Sequence, residues 1–306
     1  MRITFISLLL LVSVSAHPAD TLTVLFGGDV LFDRGVRPVV EEYGYDYVFA
    51  DIAPVMAQAD AAVVNLECPL TMRRRKVHKK YIFRADTLAA AAMHRASITH
   101  AAMANNHTVD QGLIGLSDTY DCLRRHGITP LGYATNSDSL LRPTIISAHG
   151  VDIAVFNAVT VPIENWFTTP NASKPAICYT SIYKLAAAVR RYHAAHPTVS
   201  IVVFIHWGQE FRDSPTLQQR LDATTLVAAG ATAIIGQHPH VLQTHEVIGS
   251  VPVWYSIGNL VFDQSPEKCN KAQLIMLRFT AQGLAGHAAL PVDIVNCRPC
   301  VSRSQD

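Results

Sequence analysis

The chain has 306 residues, 49% of them hydrophobic and only 16% charged, a composition that supports a large buried core and excludes a disordered chain. Its formal net charge is +1 at pH 7, which excludes a general nucleic-acid binder that depends on a basic surface. The length fits one large α/β domain or two smaller ones.

Met1-Arg2 precedes an apolar run from Ile3 to Val14 and the small residues Ser15-Ala16. This pattern predicts a secretory signal peptide cleaved after Ala16, with residues 17–306 as the mature chain. The run is short for a membrane anchor, the competing reading. A periplasmic or secreted location follows. The six cysteines (Cys68, Cys122, Cys178, Cys269, Cys297 and Cys300) would then meet an oxidising compartment. Cys297 and Cys300 form a C-x-x-C with no second pair at zinc spacing, which reads as a disulfide or a terminal decoration rather than a zinc knuckle.

Thr21 to Phe26 predicts a strand that ends in Gly27-Gly28-Asp29, so a turn-forming glycine pair leaves a carboxylate at the strand's carboxyl end. A helix is predicted near Val48 to Gln58, with Asp51 as its cap. Ala61 to Val64 is a second buried strand, closing on Asn65-Leu66-Glu67, where alternation puts Asn65 and Glu67 on one side. Residues 73–84 carry a basic run that reads either as a solvated loop or as a lip steering an anionic substrate. The alanine-rich Asp86 to Ala96 predicts a helix, and Ile98 to Met103 a third strand leading to Asn105-Asn106-His107. Asp110, three residues on, can orient an imidazole through its second nitrogen.

A helix over Gly115 to His126 stops at Gly127. Val151 to Val159 is a strand, and the proline-rich Val161 to Ile177 reads as a functional loop; its Asn171-Ala-Ser173 would be glycosylated only in a eukaryotic secretory route. Ser181 to His196 predicts a helix, and Thr198 to Ile205 a strand delivering His206. After a helix at Leu217 to Ala229, the apolar run Ala231 to Ile235 delivers Gly236-Gln237-His238-Pro239-His240. Alternate residues of an extended segment point the same way, so His238 and His240 can address one point while Gln237 turns away. Val251 to Ile257 leads to Gly258-Asn259, and two strands near Gln273 to Thr280 and Ala288 to Asn296 are expected to be antiparallel and peripheral.

Strands alternating with helices imply a layered α/β sandwich in one domain. Five strand ends carry Asp29, Glu67, Asn106-His107, His206 and His238-x-His240. Carboxylate, amide and imidazole donors together suit Mn, Fe or Zn, in number enough for one or two divalent ions.

The segments Gly28-Asp29-Val30, Asn65-Leu66-Glu67, Ala104 to His107, His206-Trp207-Gly208, Gly236 to Gln243 and Tyr255 to Gln264 resemble those of the CapA-type poly-gamma-glutamate capsule biosynthesis proteins. Six linked motifs spread over about residues 22–265 carry the resemblance. It implies the α/β/β/α four-layer sandwich of the calcineurin-like metallophosphoesterase superfamily. It also implies Asp29, Glu67, Asn106, His206, His238 and His240 as metal ligands, with Glu67 bridging and His107 catalytic. Leu31 stands where metallophosphoesterases usually place a second histidine ligand, so one metal position is expected to be poorer.

The function so implied is an exported metal-dependent hydrolase-like protein of capsule or exopolymer biosynthesis. His107 and Asp110 would form the acid–base pair, and Arg34, Asn65, Arg75, Lys79, Lys80, Arg84 and Asn259 would bind an anionic polymer or a phosphorylated or carboxylated substrate. Two other readings use the same residues: a non-catalytic accessory of a membrane polymer-synthase complex, and metal-assisted proton abstraction beside a peptide carbonyl.

Overall fold

Strand β1 (Leu22–Val30) is buried along its whole length, because strands lie on both of its edges and packed layers cover both of its faces. The computed structural model describes residues 20–75, 78–136, 139–163 and 174–302. The expected signal segment, Lys76 and Val77 of the basic run and the Asn171-Ala-Ser173 triplet lie outside the described residues.

After β1 come α1 (Val36–Tyr43), α2 (Ala53–Met56), β2 (Ala61–Leu66), α3 (Leu88–Arg95), β3 (His100–Ala102), α4 (Gly112–Arg125), β4 (Thr129–Leu131), β5 (Tyr133–Ala134), β6 (Thr144–Ala148) and β7 (Val151–Val159). The second half runs β8 (Ala176–Ile177), α5 (Ile182–Ala195), β9 (Ser200–His206), α6 (Leu217–Ala228), β10 (Ala233–Gln237), β11 (His245–Ile248), β12 (Val251–Trp254) and β13 (Asn259–Val261). It closes with β14 (Lys271–Thr280), β15 (Gly283–Val295) and β16 (Arg298–Val301).

Two large sheets form. One has the order β16-β15-β14-β1-β2-β3-β4, with β13 also pairing β1, and the other β11-β12-β10-β9-β7-β6. Strand alternation decides what each residue touches. Val24, Phe26 and Val63 meet Val155, Phe204 and Ile235 in a core between the sheets, where the Phe26 and Phe204 rings lie 5.3 Å apart. Each fully buried phenylalanine contributes about 1.5–3 kcal/mol through its burial. The intervening residues Leu25, Val64, Val203 and Ile205 join a second cluster with Met93 of α3, Leu116 of α4, Leu185 of α5 and Leu226 of α6. The result is the expected four-layer α/β/β/α sandwich.

Local signals place the helices well. Ser181 caps α5 by accepting from the Lys184 N–H, and Thr216 with Gln219 closes a capping box on α6. Gly127, at φ +74°, follows the end of α4, where a left-handed residue suits glycine.

The stretch expected as one helix near Val48 to Gln58 is a 3-10 turn at Tyr47–Phe49 followed by the short α2, with Pro54 in its first turn. Asp51 pairs with Arg298 instead of capping. The helix missed by pattern is α1. The carboxyl-terminal pair is antiparallel as expected but not peripheral: β14 lies between β1 and β15, with Leu274, Ile275, Leu277 and Phe279 fully buried. None of the six cysteines is paired, which corrects the expected disulfide. Four are buried as small apolar residues, and the Cys300 thiol instead contacts Asp51 Oδ2 at 3.1 Å.

Candidate metal centre

The carboxyl ends of parallel strands β1, β2, β3, β9 and β10 open onto one place, as α/β sheets generally arrange their sites. β1 divides its edge: β14 pairs Leu22 to Phe26, and β13 pairs Asp29 and Val30 with a register shift between them. That division sets Asn259 directly beside Asp29.

Two groups of buried donors form there, Asp29–Glu67–His240 and Glu67–His206–His238. Within each group the ligand atoms lie within 4.8 Å of one another, and Glu67 belongs to both. Asn106 Oδ1 approaches His206 Nε2 at 2.9 Å and so adds a fourth donor to the second group. That nitrogen lies 3.1 Å from His238 Nδ1 and 3.9 Å from Glu67 Oε1. In the first group His240 Nε2 is 3.7 Å from Glu67 Oε1. Leu31, in place of a possible fourth donor, is fully buried in the apolar core.

Both carboxylate oxygens of Glu67 are buried without a hydrogen-bond partner. Such an orphaned charge is costly in a protein interior, and a cation between the two groups would satisfy it. Burial, then the neighbouring Asp29, raises the Glu67 pKa well above its ordinary value. Burial followed by the other histidines pushes His206 well below 6.5 and His238 down to about 3. At His240 burial acts the same way, but the Glu67 and Asp29 carboxylates outweigh it and push the imidazole up to about 9. The neutral imidazoles of His206 and His238 beside the shared Glu67 carboxylate are a donor set suited to a divalent ion.

Asparagines hold the ligands in position. Asn65 Nδ2 donates to Asp29 Oδ1 at 2.8 Å, and Asn259 Oδ1 lies 2.9 Å from His240 Nδ1. Both were expected at the substrate, and both are fully buried beneath the ligands. Asn105, which the sequence reading did not single out, shapes the turn after β3. Its Oδ1 accepts from the His107 and Thr108 N–H groups, and its Nδ2 donates to the Leu66 carbonyl. The adjacent pair of amides was the available signal.

His107 Nδ1 sits 2.8 Å from Asp110 Oδ2, and Phe83 stacks on its ring at 4.0 Å. Burial lowers the His107 pKa despite Asp110. Lys79 is enclosed: its ammonium pairs with Asp110 Oδ1 at 2.7 Å and donates to the Asn106 carbonyl at 2.6 Å. Arg34 lies at the rim of the cleft, ion-paired to Asp263 at 3.1 Å. The other basic residues point elsewhere. Arg84 donates to the Thr71 carbonyl, Lys80 lies over the Tyr81 ring, and the Arg75 side chain packs at Gly112.

The bacterial capsule synthesis protein PGA_cap family model matches residues 23–264, spanning every one of these ligands. The chain belongs to the PGA_cap family. It is 27% identical to the PGA biosynthesis protein CapA of Bacillus subtilis, covering 94% of this chain and 75% of that one. It is 28% identical to the capsule biosynthesis protein CapA of Bacillus anthracis, over 92% and 69% of the two chains. A probable polyglutamine synthesis accessory protein of Mycobacterium tuberculosis is 23% identical over 80% and 75%. The solved Thermus thermophilus sulfate thiohydrolase SoxB is similar with a TM-score of 0.49 and 12% identity, covering 87% of this chain and 45% of that one. In this PGA_cap member the matched segment ends at Gln264, whose Oε1 accepts from Asn259.

Proposed function

We propose that this chain is an exported, metal-dependent hydrolase acting in the synthesis or processing of an anionic capsule polymer. The observation that carries the reading is Glu67, a buried carboxylate with no hydrogen-bond partner between two sets of converging donors. Family membership and the capsule and polyglutamate names of the relatives support the polymer context. The apolar amino-terminal run supports export.

Asp29, Glu67 and His240 would hold one divalent ion, and Glu67, Asn106, His206 and His238 another; Mn, Fe and Zn all suit these donors. Such ions supply Lewis acidity and acidify a water into a nucleophile. The protein's own residues do the rest. Asp110 accepts from His107 Nδ1, which leaves the Nε2 lone pair facing the site to accept a proton and pass it on to a departing group. Lys79 donates to Asp110 Oδ1 at 2.7 Å and fixes the orientation of that carboxylate. Phe83 and Phe262 wall the cleft against water, and Arg34 presents its guanidinium edge to a substrate carboxylate or phosphate.

The test is metal analysis of the purified protein after reconstitution with Mn or Zn, combined with a panel of phosphoesters and γ-linked peptides. The expected result is bound metal and turnover, both lost in His238→Ala. A protein that retains no metal, with His238→Ala as active as the parent, sinks the reading. The accessory name of the mycobacterial relative favours a second reading, binding without catalysis; polymer formation undiminished in a His107→Ala strain would establish it.

A further inference from the structure

A cavity of about 240 Å³ opens above the ligand groups, with His107 and His240 on its floor. Phe83, Phe211 and Phe262 form its walls, and the phenyl rings of Phe211 and Phe262 stand 6.2 Å and 4.7 Å from the His240 ring. Its charge differs from that of a simple anion trap. Arg34 lies between Phe83 and Phe262, 5.8 and 5.9 Å from the two ring centroids, and its charge is already balanced by Asp263. Glu210 also lines the cavity and makes no ion pair among the described residues.

The Glu210 carboxylate is on a fixed turn. Phe211, the next residue, has φ +60°, and Arg34 across the cavity has φ +53°. Non-glycine residues in this left-handed region cost about 1–3 kcal/mol and persist where the surroundings hold them. Here the Phe211 N–H donates to the Pro239 carbonyl at 2.9 Å, and its carbonyl accepts from Lys268 at 2.7 Å. The turn is therefore tied to the same loop that carries His238 and His240.

We propose that Glu210 is a specificity-determining residue that binds a cationic amine, so that with Arg34 opposite it the cavity selects an amine-and-carboxylate chain end of an amide-linked acidic polymer. Aromatic faces beside a carboxylate suit an ammonium group, and the exposed edge of Arg34 suits a carboxylate. A phosphoester dianion would meet repulsion from Glu210 instead. The proposal rests on the metal-hydrolase reading for the reacting centre, but it concerns recognition and is read by binding.

The experiment is isothermal titration of the full chain, reconstituted with Zn, with γ-glutamyl-glutamate, its N-acetyl derivative and phenyl phosphate. The free-amine dipeptide is expected to bind roughly tenfold more tightly than the N-acetyl form, the effect of one partly desolvated charge pair. Glu210→Gln, a change at an exposed position, is expected to erase that preference and leave affinity for the N-acetyl form unchanged. Equal binding of the two dipeptides by the parent, a preference that survives in Glu210→Gln, or tighter binding of phenyl phosphate overturns the proposal. Metal retention without an amine preference defeats only this inference. An amine preference in a protein that holds no metal supports it and defeats the hydrolase reading alone.

Discussion

Asp110 divides its carboxylate between two partners, His107 Nδ1 at 2.8 Å from Oδ2 and Lys79 Nζ at 2.7 Å from Oδ1. All three side chains are nearly or fully buried. Asp110→Asn keeps the shape but removes the charge that orients and supports the imidazole, so turnover is expected to fall by about 10²–10⁴-fold with bound metal little changed. Asp110→Ala removes the carboxylate that pairs with Lys79 at 2.7 Å and accepts from the Phe83 N–H, and is expected to destabilise the fold. Urea denaturation and metal analysis separate the two effects. Full turnover in Asp110→Asn would show that His107 acts without it.

Glu67→Gln is expected to act differently on the two forms of the protein. Without metal it removes a desolvated carboxylate but also its pairing with the His240 imidazole 3.7 Å away, so the melting temperature should change little. With Mn or Zn added, the parent should gain stability by mass action while the variant gains little. Thermal melts in chelator and in excess metal check both; metal-induced stabilisation equal to the parent's would mean that Glu67 is not a ligand.

Proton release should accompany metal uptake. His240 is pushed up to about 9, so it is protonated at pH 7.5 and must lose its proton to bind an ion. In the metal-free protein its raised pKa contributes stability that is full below its ordinary 6.5 and is lost as pH rises through about 9. His238, pushed down to about 3, works the other way: stability is present above 6.5 and falls as pH drops toward 3. Metal affinity should therefore strengthen from pH 7 to 9. A pH-stat titration with Zn should release about one proton fewer in His240→Asn; identical release from both proteins would remove His240 from the site.

Gly236→Ala tests how closely the ligand-bearing loop is packed. A Cβ at this position would lie 2.1 Å from the Tyr255 carbonyl oxygen and 2.3 Å from the Trp207 indole nitrogen. Backbone and a fully buried indole cannot move aside cheaply, so a loss of more than about 2 kcal/mol is expected. Because β10 would shift away from β12, metal content should fall as well. A stable variant with full metal content would contradict the close approach.

The candidate ligands were legible because each is announced locally. Short apolar runs ending in Asp29, Asn65-Leu66-Glu67, Asn106-His107, His206 and His238-x-His240 mark strand ends, and chain-local hydrophobic patterning alone is enough to find those. The layered α/β class follows from the same alternation. What each side chain does depends on strand order and register, which couple residues far apart in the chain. Asn65 and Asn259 turned out to brace Asp29 and His240 because β2 and β13 lie on opposite edges of β1. Lys79 left the basic run to become the buried partner of Asp110, while Arg75, Lys80 and Arg84 stayed outside the cleft. β14 became interior only because β15 and β16 extend the sheet beyond it, and cysteines in a suggestive spacing stayed apart. The sequence by itself thus determined which chemical groups stand at the strand ends. Only the tertiary structure decided that Asn65 and Asn259 brace those groups and that Lys79 is buried against Asp110, because these contacts join segments distant in sequence.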